Sequence, residues 1–269
     1  MLTIPRKICY QKLQKEKHRE WERIKNFDPS SKEIREISYK EAKELILKYE
    51  WLGTMPSSPW KNYGLFMNDT LVAVECFTKV RSGNTRYTYL GYPAICLARG
   101  ASIANAPSWV GSYLISKALK LLTEELNGEP HYVLAYSDWE GGELGTIYQA
   151  CSWVYTGHKQ SPEWRSPDGK RKDSSYHRCI SRRIDPNYKI KRKLNPEIVE
   201  QSKQRLLAEG WKKEKTVRGR YVKVIGYNSK LKREMLKELS FRSLPYIKEH
   251  NYEIAKELTE AQVKKLKRR

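Results

Sequence analysis

The sequence predicts an α/β protein: a mixed central sheet flanked by helices, with a basic helix-and-hairpin extension at its carboxyl end. Three observations lead there. Apolar runs of strand length alternate with segments whose apolar residues recur every three or four positions, the pattern of a sheet with helices packed on it. Residues 131–158 (HYVLAYSDWEGGELGTIYQACSWVYTGH) pass from an apolar run through a glycine-punctuated polar turn into a helical pattern, which makes a strand, a loop and a helix. The net charge of +21 is unevenly placed, with eight Lys/Arg and nine Asp/Glu in residues 50–160 but 26 and 11 in residues 182–269. A basic footprint confined to one part of a chain is a solvated lysine surface or a partner-binding device, and nucleic acid is the first candidate partner.

In chain order, residues 1–32 form a basic helical arm, with a helical pattern at 11–24 that has too few apolar positions to fold alone. Asp28-Pro29 breaks it, and residues 33–38 alternate as a strand. Ser38 is placed to cap a helix over 39–50 whose apolar face is Ala42, Leu45, Ile46 and Tyr49. Residues 51–62 (WLGTMPSSPWKN) read as an aromatic loop, followed by strands at 63–67 and 71–79 joined at Asn68-Asp69, a hairpin signal. A polar loop at 81–92 leads to a central strand at 94–102. Ser108 is the expected cap of a long helix carrying Val110, Leu114, Ile115, Ala118, Leu119 and Leu122.

After the strand at 132–136 and the helix at 146–153, residues 161–174 read as a polar loop and 175–183 as a final strand. The catalytic domain is therefore expected to span 33–184, and a basic nucleic-acid-binding extension 185–269. That extension should hold a linker at 189–193, a helix opened by Asn195-Pro196, a hairpin at 211–226 turning near Arg218-Gly219, a helix at 229–239 and a terminal helix at 254–269.

Composition narrows the class. At 39% hydrophobic the chain can bury a core, and 18 tyrosines and 8 tryptophans against 4 phenylalanines favour half-wet binding faces. Five scattered cysteines without a CxxC pair indicate reduced thiols. No apolar run has membrane-spanning length and no signal core opens the chain, so a soluble, cytoplasmic protein is expected.

Three side chains stand out for chemistry. Asp138 lies at the carboxyl end of its strand and Tyr148 early in the next helix, where open α/β sheets place their sites. Asp138 could orient an amine, ligate a metal or cap the turn. Tyr148 could donate a proton or simply pack between helix and sheet. Glu75 sits inside an apolar strand, as a general base facing a cleft or as a carboxylate on the solvated face of an edge strand.

The order helix, two antiparallel strands, strand, long helix, strand, helix, strand resembles the GNAT acyltransferase core. In that fold the strand before the long helix diverges from the next strand, and the gap admits a pantetheine arm beside a helix amino terminus. The resemblance makes Arg99, Asn105, Ser108 and Ser112 the cofactor-binding candidates, although ANAPSWVGS lacks the usual glycine-rich signature.

More specifically, YSDWEGGELGTIYQACSWVYTG and LARGASIANAPSWVGSYLISKALKLL, with YEWLGTMP and RYVKVIGYNSKLKREMLKEL, resemble the phage Mom family of DNA-modification proteins over residues 35–240. The resemblance implies carbamoylmethylation-like transfer to adenine N6 in phage DNA as an anti-restriction measure, with an acetyl-CoA or related acyl-CoA donor and iron. It makes Asp138 and Tyr148 the central pair, with Glu75 as a third catalytic candidate. Where family members carry a histidine this chain has Trp51, so Tyr49, Glu50 or Asp138 would have to serve a metal, with His158 and His177 in reserve.

Double-stranded DNA is the implied partner and a homodimer the assembly to test. Trp60, Lys189, Lys191, Arg192, Lys193, Arg218, Arg220, Lys232 and Arg233 are the nucleic-acid-binding candidates, and Trp139 and Trp153 are further rings that could stack on an extruded base. Two alternatives stay open: acyl transfer to a protein, tRNA or small-molecule amine, and a catalytically inactive GNAT-fold nucleic-acid-binding protein.

Overall fold

The structure, a computed structural model, describes residues 9–19, 28–56, 59–79, 81–82, 85–86, 88–174, 176–191 and 193–247. The expected terminal helix at 254–269, residues 20–24 of the arm, and Arg192 lie outside the described residues. By its contacts the chain divides into two compact units, Met1–His158 with Arg218–Arg269, and Lys159–Val217. The boundary expected at residue 184 falls inside the second.

The elements in chain order are α1 (Tyr10–Arg19), β1 (Glu33–Glu36), α2 (Tyr39–Tyr49), β2 (Pro59–Met67), β3 (Thr70–Thr78), the short β4 (Arg81–Ser82), β5 (Thr85–Arg86) and β6 (Thr88–Tyr89), then β7 (Tyr92–Ser102), α3 (Val110–Glu125), β8 (His131–Asp138), α4 (Thr146–Ala150), β9 (Val154–Arg165), β10 (Arg171–Asp173), α5 (Tyr176–Ile184), α6 (Tyr188–Lys191), α7 (Pro196–Ala208), β11 (Lys212–Ile225) and α8 (Lys230–Arg242).

The first unit is a mixed sheet flanked by helices. Its strands run in the order β1-β2-β3-β7-β8-β11. All neighbours are antiparallel except β7 and β8, which are parallel and joined through α3. The β2–β3 turn is tight because Asn68 and Asp69 both adopt left-handed φ, 47° and 57°, which these side chains tolerate. Ser38 caps α2 as expected, within a capping box: its hydroxyl accepts from Glu41 N–H and the Glu41 carboxylate accepts from Ser38 N–H. Ser38→Ala is expected to cost about 1 kcal/mol, read as a lower urea midpoint.

The apolar face of α2, Ala42, Leu45, Ile46 and Tyr49, packs on Phe66, Val74, Cys76 and Ala101. Met235 and Leu239 of α8 cover Tyr132, Leu134, Val222 and Val224. A fully buried Leu or Phe in either layer contributes about 1.5–3 kcal/mol.

Three expectations are corrected. Trp109, not Ser108, precedes α3, and no side chain caps that helix. The Val110 N–H donates to Pro107 O at 3.1 Å, a turn that moves Ser108 off the capping position. Residues 211–226 are not a hairpin but contain one continuous strand, β11. Gly219 lies mid-strand opposite Ser137, and a Cβ there would come within 2.7 Å of Trp139 Nε1. This glycine serves close packing, not a turn.

The third correction lies in the second unit, where 161–174 contains a β9–β10 hairpin and 175–183 falls largely in helix α5. The polar run folds as strands because its charges pair across them: Arg171 donates to Glu163 through Nε at 2.7 Å and Nη2 at 2.6 Å, both side chains buried. Helix wins over 176–184 because Tyr176, Ile180 and Ile184 recur at helical spacing while Ser181 faces α7. The Ser181 hydroxyl meets the Ser202 hydroxyl at 2.9 Å, and Asn195 caps α7 with Pro196 at its first position, as expected.

Candidate active site where two parallel strands part

β7 and β8 pair only over Ala94–Leu97 and Tyr132–Ala135. Beyond Leu97, β7 continues along β3, whereas Tyr136–Asp138 of β8 pair with β11. The strands part at a bulge: Phe77 faces Leu97 and Cys76 faces Arg99, leaving Ala98 as the extra residue. A bulge bends its strand and re-aims the side chains beside it. The divergence expected of a GNAT-like core is therefore built into β7.

Carboxyl groups gather around this opening. Glu75 lies on β3, a central strand, and is 5% exposed, which removes the edge-strand alternative. It faces Gly100, where a Cβ would sit 2.7 Å from the carboxyl carbon, so glycine is what gives the acid its space. Burial pushes the Glu75 pKa well above the usual carboxylate range. The buried position thus favours its protonated form.

Asp138, also buried, ends β8. Its Oδ1 accepts from Gly141 N–H at 2.9 Å, and its Oδ2 lies 3.9 Å from Arg218 Nε. Both the capping role and a charge-bearing role are thus occupied by one side chain. The Arg99 guanidinium donates to Thr54 O, Thr54 Oγ1 and Ala98 O, with Glu50 4.0 Å away. Burial raises the Glu50 pKa against the opposing pull of Arg99 and of the Gly53 N–H.

Tyr148 projects from α4. Its ring packs at 5.3 Å against both Trp153 and Tyr221, and its hydroxyl has no hydrogen-bond partner among the described residues. Burial, then Glu75 and Glu143, push its pKa well above that of a free phenol, so it remains a proton donor at every physiological pH.

Glu143 is the functional candidate the sequence reading missed. It sits between Gly142 and Gly145, both left-handed at φ 75° and 73°, and its N–H donates to Asp138 O at 2.9 Å. Burial, then Asp138 and Glu50, raise its pKa to about 7, opposed by a hydrogen bond from the Trp51 side chain. The GGELG spacing was the available signal: two glycines bending the backbone sharply around one acid. Trp51 acts here as a hydrogen-bond donor, and its ring edge lies where a Cβ on Gly141 would be 2.9 Å away.

The donor candidates Ser108 and Asn105 lie in the turn before α3, with Ser108 exposed. The Ser112 hydroxyl is occupied in donating to Trp109 O at 3.0 Å. The described residues do not fit iron. Among the described residues no group of three or more His, Cys, Asp or Glu could hold a metal ion. His158 packs on the Trp139 ring at 5.1 Å, and His177 belongs to the second unit.

Of the nucleic-acid candidates, Trp60 lies under Lys79 Nζ at 3.8 Å, and Arg220 donates to Thr156 Oγ1 and O at 2.9 Å. Lys232 Nζ donates to Gly226 O, while Arg233 and Lys193 are exposed. Lys189 and Lys191 lie on α6. Trp139 and Trp153 are wholly buried and have no free face for a base.

The profile of the Mom protein family matches residues 31–248. The chain belongs to the Mom family. No curated protein matches it. Among solved structures it is similar to a probable N-acyltransferase of unknown function from Enterococcus faecalis V583, at 16% identity over 51% of this chain and 35% of that one, TM-score 0.32. It is also similar to an N-acetyltransferase from Staphylococcus aureus Mu50, at 16% identity over 48% and 86%, TM-score 0.33. A third is a putative streptothricin acetyltransferase from Bacillus anthracis str. Ames, solved with acetyl coenzyme A, at 11% identity over 76% and 91%, TM-score 0.31. The match thus spans about a third of the Enterococcus chain. No described helix is long and apolar enough to cross a membrane.

Proposed function

We propose that this Mom-family protein is a transferase that places a small acyl group on N6 of adenine in double-stranded DNA. The observation that carries the reading is the family match over 218 residues, 31–248, which includes every residue of the acid cluster. A thioester donor of the acyl-CoA class would supply the transferred carbon and a thiolate leaving group.

The chain's own residues divide the proton work. N6 forms a bond to the transferred carbon as that carbon's bond to sulfur breaks. The amine gives up one proton to the Glu143 carboxylate, and the Tyr148 phenol donates one to the departing thiolate. Glu143, poised near pH 7, then returns its proton towards Tyr148, which it already influences electrostatically. Trp51 and the Asp138 backbone hold the acceptor in place. Glu75, when protonated, can donate a hydrogen bond to an uncharged base or carbonyl without adding a second negative charge.

Mass spectrometry of nucleosides from DNA of expressing cells tests the reading. A modified adenine absent from a Tyr148→Phe/Asp138→Asn control is the expected result, and an unmodified adenine pool overturns it. Glu143→Gln is expected to remove the acid limb of the activity profile centred near pH 7. It also has a stability signature: a carboxyl whose folded pKa is raised stabilises fully below the unfolded value and loses that contribution as pH rises through the folded one. The parent should therefore lose roughly 3 kcal/mol relative to the glutamine variant between about pH 4.5 and 7, a difference visible in urea unfolding at the two ends of that range.

A further inference from the structure

Residues 159–217 hold 17 Lys/Arg and 8 Asp/Glu, and the structure shows what becomes of the acids. Glu163 is buried against Arg171, and Asp185 is buried accepting the N–H groups of Asn187 and Asn195, each at 2.9 Å. Asp168, Glu200, Glu209 and Glu214 pair with Lys170, Lys203, Arg205 and Arg165. Six acids are thus committed to holding the unit together. Arg178, Arg182 and Arg183 on α5, and Lys212, Lys213 and Lys215 on β11, are exposed. None of these six pairs with a carboxylate among the described residues.

The excess cations converge. The His177 ring has its pKa lowered first by burial, then by Lys213 of β11 and Arg178 of α5, against a raising hydrogen bond with the Ser174 backbone; Lys203 of α7, which also lowers it, is already paired with Glu200. Lys213 also lies 6.0 Å over the Trp164 ring. Arg178 and Arg182 are one turn apart and share a helix face. Like charges held this close are unfavourable in isolation and favourable when an anionic partner supplies the missing carboxylates or phosphates. The frame beneath them is stiff, because α5 and α7 are joined by the Ser181–Ser202 hydroxyl contact and by the Asp185 turn. Such an array suits the charge of a duplex backbone, whose phosphates are contacted without reading base sequence.

We propose that residues 159–217 form a phosphate-docking module for duplex DNA, gripping the backbone through Arg178, Arg182 and Lys213 without reading sequence. The inference rests on DNA being the substrate, and it moves the principal grip from the carboxyl-terminal extension to a unit enclosed within the chain.

The test uses the full chain and a labelled 20-base-pair duplex, with binding measured by fluorescence anisotropy between 50 and 200 mM salt. For Arg178→Glu/Arg182→Glu/Lys213→Glu we expect at least about a 30-fold loss of affinity and a salt slope shallower by about three, since each phosphate contact contributes about 0.9. The neutral Gln triple variant, with a parental melting curve, should show an intermediate loss, which separates lost contacts from lost folding. Arg233→Glu, in the first unit, should change affinity less than two-fold. Parental affinity in a folded Gln variant overturns the module, as does preference for single-stranded RNA of equal length. Parent protein that binds the duplex in this way but leaves adenine unmodified overturns the proposed chemistry and not the module.

Discussion

Tyr148→Phe is expected to lower the proposed transfer to DNA by roughly 10²–10⁴-fold, the range associated with loss of a positioned proton donor, while leaving the fold and the proposed duplex binding unchanged. The ring makes the structural contacts, against Trp153 and Tyr221 at 5.3 Å, and phenylalanine keeps the ring. The hydroxyl has no hydrogen-bond partner among the described residues, so its removal strands no described group. Because burial and the neighbouring acids keep the phenol protonated, the parent should show no alkaline loss of activity attributable to it. Single-turnover rates on saturating duplex DNA make the measurement, so that binding and chemistry separate. A phenylalanine variant that turns over at the parental rate assigns proton donation elsewhere, with Glu75 next in position.

How far the site was legible depended on whether its signals were local. Asp138 at a strand end and Tyr148 early in a helix could be found because strand, glycine turn and helix leave periodic traces in one continuous stretch. The parting of β7 and β8 could be expected only from element order, because the bulge at Ala98 depends on register against β3. Glu143 was passed over because its distinction is acquired in three dimensions, from Asp138, Glu50 and Trp51 closing around it. Glu75 was visible as an anomaly but not its side of the sheet, which Gly100 decides from the facing strand.

The helices and strands of 159–217 were the least legible. Their apolar periodicity is diluted by charge, and the hairpin is specified by a buried ion pair, not by alternating hydrophobics. Gly219 misled for a related reason: glycine in a basic run suggests a turn, and only the Trp139 indole packed over it explains why the strand continues.

Arg171→Met is expected to destabilise the second unit by about 3–5 kcal/mol, the cost of leaving a buried charge without its partner. Arg171 and Glu163 are 3% and 4% exposed and joined at 2.6 and 2.7 Å, so methionine would fill much of the volume while abandoning the carboxylate. The double variant Glu163→Gln/Arg171→Met should recover a large part of that loss, because an uncharged amide is far cheaper to bury than an isolated anion. The pH dependence identifies the cause. Without the guanidinium, burial raises the folded pKa of Glu163, so the single variant's deficit should be full above that raised value and disappear below about pH 4.3, where the acid is protonated in both states. Urea unfolding of parent, single and double variants at pH 4 and pH 8 makes the comparison. A deficit equal at both pH values would show that lost packing around the arginine stem, and not the stranded charge, holds this hairpin together.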